Sequence, residues 1–196
     1  MKKDKTIIFV IFILMIATLA LSIAFSSLST LLNINYGDVN QTAQTWDVGF
    51  DISGSPLAAS STGTSPAGRI CGAATITKDS VSVADTQLSK PGDTCTWSLT
   101  IQNLGTIDAE LNSVTPIIGE NSCTITGSSM ECENITYKLA TDQAGTTLLS
   151  SQINSTLAKT NGTKDVYLIA TYSSNSIGGS SNTQSGIGFT ILYNQK

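Results

Sequence analysis

Between Lys90 and Val114 apolar and polar residues alternate with a period of two. After a turn at Pro91, Gly92 and Asp93, the residues Cys95, Trp97, Leu99 and Ile101 take every second position, with Thr94, Thr96, Ser98, Thr100 and Gln102 between them. Successive side chains of a strand point to opposite faces, so the segment predicts a strand with one apolar face. A second turn at Asn103, Leu104 and Gly105 leads to Ile107, Ala109 and Leu111, again on alternate positions, which predicts a second strand. A pair of strands cannot bury such a face alone and needs a sheet opposite.

The same period recurs along the chain. Trp46, Val48, Phe50 and Ile52 alternate with Asp47, Gly49 and Asp51 and predict a strand with a strongly buried face. Residues 53–68 are mostly Ser, Gly, Ala, Thr and Pro, which predicts a long exposed loop with no core position. Ile76, Val81 and Val83 predict two short strands, or one bent strand, about a turn at Lys78 and Asp79. Pro116 and Gly119 break regular structure, and Cys123 to Cys132 reads as a hairpin or a compact loop about Gly127 and Ser128. Ile135, Tyr137 and Leu139 alternate next, and Leu148 to Leu157 predicts a further short strand. Val166, Leu168, Ala170 and Tyr172 form one face, with Tyr167, Ile169 and Thr171 on the other, the pattern of a central strand covered on both sides. After a polar loop over 173–186, Ile187, Phe189, Ile191 and Tyr193 predict a last strand. About eight to ten short strands and no helical periodicity after Ala24 predict an all-β fold, a jelly-roll or immunoglobulin-like sandwich over 45–196. A chain of 196 residues has room for one such domain.

A different pattern opens the chain. Lys2, Lys3 and Lys5 precede an apolar run from Ile7 to Phe25 that is broken only by Thr18 and Ser22. As a helix the run would be ~28 Å long, against a hydrocarbon core of ~30 Å. Residues 1–24 therefore read as a signal peptide or a membrane anchor, with the basic end in the cytoplasm and the rest exported. Ser22 and Ala24 flank Ile23 with the small-residue spacing of a cleavage site before Phe25. If uncleaved, residues 7–25 hold the protein in the membrane. A pilin-like subunit also begins with a basic leader and an apolar helix, but the glycine before the cut and the glutamate after it are missing. Residues 25–44 then form an arm with Phe25, Leu28, Leu31, Leu32, Ile34 and Tyr36 among polar residues. It reads as a linker or edge strand of its own domain, or as an arm that completes the sheet of a neighbouring subunit.

Composition narrows the chemistry. Only 12% of residues are charged, and Ser, Thr, Asn and Gly fill the surface positions, as in exported β proteins. Losing residues 1–24 removes three lysines and one aspartate and takes the net charge from -4 to about -6. With Arg69 the single arginine and the lysines scattered, no basic patch meets phosphates, and no nucleic-acid partner is expected. The chain has no histidine, which excludes a Ser-His-Asp triad, a Cys-His pair and a HExxH zinc site. The carboxylate pairs Asp47 with Asp51 and Glu131 with Glu133 sit at alternate strand positions, where they solvate a sheet. Oxygen ligands for calcium at Asp47, Asp51 or Asp93 lack an EF-hand or Asp-rich repeat. No enzyme activity, cofactor or metal is expected. Cys71, Cys95, Cys123 and Cys132 all follow the apolar run, in an oxidising space, and predict two disulfides. Three pairings are open; proximity favours Cys123 with Cys132 and Cys71 with Cys95, each loop contributing ~3 kcal/mol. Asn40, Asn134, Asn154 and Asn161 begin Asn-x-Ser/Thr tripeptides and mark surface positions and possible glycosylation sites.

The junction Ala24-Phe25-Ser26, the arm sequence Leu32-Asn33-Ile34-Asn35, the turn Pro91-Gly92-Asp93, and Gln-Asn-Leu-Gly-Thr-Ile-Asp-Ala over 102–109 are four features that stand out. Together they resemble the TasA and camelysin-like family of exported proteins. The likeness runs nearly end to end in organisation, with the matching residues concentrated in 20–50 and 88–114. The resemblance implies a signal peptide removed by a dedicated peptidase and a jelly-roll sandwich. It also implies polymerisation into extracellular fibres of the matrix or biofilm, the arm of one subunit entering the sheet of the next. The four cysteines and the Ser-rich stretch 53–68 depart from the family pattern. The expectation is thus a structural protein of the cell surface, with a membrane-anchored adhesion module as the alternative.

Overall fold

The computed structural model describes residues 44–63, 69–173 and 184–196. The N-terminal apolar segment, the arm residues Phe25, Leu28, Leu31, Leu32, Ile34 and Tyr36, and Asn40 lie outside the described residues. The alternating segments become strands β1 (Val48–Phe50), β2 (Ser60–Thr62), β3 (Ala74–Ile76), β4 (Val81–Val83), β5 (Thr94–Asn103) and β6 (Ala109–Ile117). These are followed by β7 (Cys123–Thr126), β8 (Ser129–Cys132), β9 (Ile135–Ala140), β10 (Thr156–Leu157), β11 (Gly162–Tyr172) and β12 (Gly188–Gln195). The chain is all-β, with antiparallel pairing throughout and a single 3-10 turn at Leu149–Gln152 among the described residues.

The large sheet runs β1-β5-β11-β9-β8-β7, with β2 also pairing β5; β10-β6-β12 and β3-β4 form two smaller sheets. Because β1 takes Asn103 to Ile101 and β2 takes Thr96 to Thr94, the two short strands share one edge of β5. The apolar face of β5 explains the layering. Leu99 and Ile101 share a core with Val166 of β11, Leu139 of β9, Ala109, Leu111 and Val114 of β6, and Leu157 of β10. Further along the same face, Cys95 and Trp97 pack with Ala170 and Ala74, and with the flanking Leu57, Val81 and Val83. Each fully buried Val, Leu or Ile among them contributes roughly 1.5–3 kcal/mol. The other face of β11 is covered as well. Ile169 is buried, and the turn around Gly145 stands against it and against Lys138, whose Nζ donates to the Gly145 carbonyl at 3.3 Å.

Three local expectations are corrected. β5 and β6 follow one another but belong to different sheets, so the connection over 104–108 is an arch and not a hairpin turn. Its cause is Asn103, fully buried, whose Nδ2 donates to the Ile107 and Leu157 carbonyls at 2.9 and 3.2 Å while its Oδ1 accepts the Gly105 N–H at 3.0 Å. Those bonds satisfy the backbone where it leaves the ladder. Residues 53–68 do hold a core position. Leu57 exchanges backbone hydrogen bonds with Ala74 at 2.7 and 2.8 Å and packs against both clusters, and Ser60–Thr62 returns to the large sheet as β2. Leu148 to Leu157 holds the four-residue 3-10 turn Leu149–Gln152 and only two strand residues, Thr156–Leu157 of β10, with Leu149 and Leu157 both turned into the core.

Candidate assembly groove

Sheet edges and the space between them are where another strand can be received. β1 closes the large sheet, β12 closes β10-β6-β12, and among the described residues β12 pairs only with β6. Between these two edges lies a groove of about 220 Å³ lined by Trp46, Val48, Phe50, Ile101, Ile191, Leu192 and Tyr193, with Lys78 and Asp79 at its rim. That volume is below the range of a small-molecule pocket and suits inserted side chains better than a whole ligand.

Each wall follows from the sequence. β1 is held by Asp51 N–H donating to Thr100 and by Phe50 N–H donating to the Lys78 carbonyl, both at 2.8 Å. Gly49 permits that approach, because a Cβ there would stand 2.7 Å from the Lys78 carbonyl oxygen. Val48 and Phe50 face the core, but Trp46 is 39% and Ile52 56% exposed, so the expected strongly buried face is only half realised. The reason is length: only three residues pair before the chain departs at Asp51. On the facing wall the ladder slips between Leu192 and Tyr193, passing over Asn112 of β6, and Leu192 is 46% exposed. Such a bulge re-aims side chains next to a binding edge. Tyr193 is half-buried, and burial pushes its phenol up to about 12, so it remains neutral in the groove at ordinary pH. At the rim, Lys78 Nζ meets Asp47 Oδ1 at 2.8 Å, and this hydrogen bond and charge raise the Lys78 pKa.

The segment that leads into the groove is tied down by the Asn-Leu-Gly-Thr sequence at 103–106. Thr45 N–H donates to Thr106 Oγ1 and Thr106 N–H to the Thr45 carbonyl, both at 2.9 Å, and Leu104 N–H donates to Asp47 at 2.8 Å. Gly105 is required by contact, since a Cβ would stand 2.5 Å from the Thr45 carbonyl oxygen. The backbone of Thr45 to Asp47, which follows the arm of residues 25–44 in sequence, is thus fixed against 104–106.

The remaining candidate residues are distributed as follows. Cys71 is bridged to Cys95 and Cys123 to Cys132, the pairing that proximity favours, and none of the four is free. Two disulfides fit an oxidising environment. Asn154 and Asn161 are exposed in left-handed turns, with φ of 70° and 71°, while Asn134 is half-buried. Asp47 and Asp51 do not act together: Asp47 faces Lys78, and Asp51 is held below its usual range by the Ser53 N–H and hydroxyl. Asp93 is fully buried, its Oδ2 accepting the Ser89 and Lys90 N–H groups at 3.1 and 3.0 Å and its Oδ1 lying 3.6 Å from Arg69 Nη1. Its charge thus holds the Pro91-Gly92-Asp93 turn and is met by an arginine. Among the described residues no group of three or more His, Cys, Asp or Glu is placed to hold a metal, and no helix is long and apolar enough to cross a membrane. The groove and the Arg69 contact were not anticipated, and the unbroken alternation of Trp46, Val48, Phe50 and Ile52 carries no signal of the groove. Comparison with family models, with curated proteins and with solved structures finds no match.

Proposed function

We propose that this chain is an exported structural protein of the cell surface or extracellular matrix that polymerises by strand donation. In this reading the two layers form a sandwich of jelly-roll or immunoglobulin type, and the groove between β1 and β12 receives the arm of a neighbouring copy. The observation that carries it is the apolar groove opening between two sheet edges, beside the point where the arm joins the domain. Leu32, Ile34 and Tyr36 alternate as a strand donor requires, offering side chains to one face while the backbone pairs with β12. The resemblance to the TasA and camelysin-like family points the same way. No catalysis is assigned, and neither a cofactor nor nucleic acid takes part.

A second reading is a membrane-anchored adhesion module that keeps residues 7–25 and uses the exposed Trp46 as an aromatic contact. Negative-stain microscopy of secreted protein, with N-terminal sequencing of the same sample, separates the two. Fibres whose subunits begin at Phe25 support the first. Single particles that still begin at Met1 support the second. Deletion of 25–44 should leave a soluble monomer, and normal fibres from the deleted protein would remove strand donation by this arm.

A further inference from the structure

Residues 184–186, which lead into β12, are gripped from two sides by the elements joined at Cys123–Cys132. On one side Gln184 Nε2 donates to the Cys132 carbonyl at 2.7 Å, and Tyr137 donates its hydroxyl to Gln184 Oε1 at 2.8 Å. On the other, Asn121, two residues before Cys123, donates Nδ2 to the Ser185 carbonyl at 2.8 Å and to the Ile118 carbonyl at 2.7 Å. Gly119 lies so close that a Cβ would stand 2.9 Å from the Ser185 carbonyl oxygen.

The two grips differ in how firmly they are held. β8 is anchored, with Met130 and Cys132 fully buried and β9 beside it. β7 is an edge of four residues, three of them exposed, whose four pairs are all with β8. So little burial does not hold a strand. Cys123 and Cys132 face each other in that ladder, and their bridge fastens the weak edge, with Asn121 behind it, to the anchored strand.

We infer that the Cys123–Cys132 disulfide is a redox clamp: oxidised, it holds Asn121 on the Ser185 carbonyl and so seats the entry to β12; reduced by a dithiol, it releases that grip and leaves residues 184–186 on the Gln184 contacts alone. A thiolate of the dithiol attacks one sulfur, forming a mixed disulfide and freeing one cysteine. The second thiol then frees the other cysteine and leaves as a cyclic disulfide, so two electrons and two protons pass to the protein. β12 runs on from this entry to the groove wall at Ile191, Leu192 and Tyr193; an effect of the clamp on assembly rests on the function proposed above, while the clamp itself does not.

The test is hydrogen exchange followed by mass spectrometry on the exported protein, comparing wild type, Cys123→Ser with Cys132→Ser, and Gln184→Ala with both disulfides intact. Amides of 185–189 are expected to exchange about tenfold or more faster in both variants, with those of β5 and β11 unchanged. Unchanged exchange at 185–189 in either variant overturns the clamp, and so does acceleration that extends equally over β5 and β11. The readout does not involve fibres, so a failed clamp and a failed assembly model are told apart.

Discussion

Ser128 and Ser150 exchange hydrogen bonds in both directions: the Ser128 N–H donates to Ser150 Oγ at 2.9 Å, and the Ser150 N–H donates to Ser128 Oγ at 3.1 Å. The Ser128 hydroxyl also donates to the Leu139 carbonyl at 2.7 Å and is fully buried. One side chain thus joins the β7-β8 turn, β9 and the 3-10 turn. Ser128→Ala leaves a buried carbonyl and an N–H without partners and should cost about 1–3 kcal/mol in urea unfolding. Loss below a few tenths of a kcal/mol would contradict the assignment.

Arg69 and Asp93 form an ionic contact without a hydrogen bond, 3.6 Å apart and largely closed off from solvent. Their positions match the next bridge, each two residues before a member of Cys71–Cys95. Breaking a buried pair from one side strands the other charge. Arg69→Met is expected to destabilise by about 3–5 kcal/mol, and adding Asp93→Asn to recover part of that loss. Additive effects of the two substitutions would show that the charges do not interact.

Asp142 titrates well below an ordinary carboxylate, at about 2, because its two oxygens accept the Thr146 and Thr147 N–H groups. A depressed folded-state value means that the group supports the turn fully above its unfolded pKa of about 3.9. That support is lost as pH falls toward 2. Amide shifts of Thr146 and Thr147, followed by NMR, should titrate together in this window and become flat in Asp142→Asn. A midpoint near 4 would contradict the capping geometry.

Trp97 donates Nε1 to the Gly72 carbonyl at 2.8 Å, one residue after Cys71, while its ring fills the cluster around Cys95. Trp97→Phe keeps an aromatic ring but orphans that carbonyl and leaves space. A loss of about 2–4 kcal/mol is expected by chemical denaturation, with both disulfides still formed by mass spectrometry.

β5 was legible because its alternation is unbroken and Cys95, Trp97, Leu99 and Ile101 are all buried; Thr96 is the one polar residue between them that is buried as well. The Cys123–Cys132 hairpin was legible because Gly127, at φ 60°, marks a tight turn midway between two cysteines that then face each other. Leu57 was not, since a lone apolar residue among Ser, Ala and Pro carries no period, and its burial comes from Ala74 on another sheet. The arch at Asn103 was hidden for a related reason: Asn, Leu and Gly serve equally in a hairpin turn, and only the distant Leu157 carbonyl distinguishes the two. Of the groove, the sequence showed both walls as strands but not that sheet order leaves them as neighbouring edges.

On the proposed strand donation, copies lacking residues 25–44 keep the groove but have no arm to donate, so each should accept one neighbour and pass nothing on. The most direct measurement is fibre length by negative-stain microscopy after mixing such copies with intact protein at increasing ratio. The account predicts fibres that shorten steadily with the truncated fraction, with the truncated chain found at fibre ends. Lengths independent of the ratio, or fibres formed by the truncated chain alone, would contradict it.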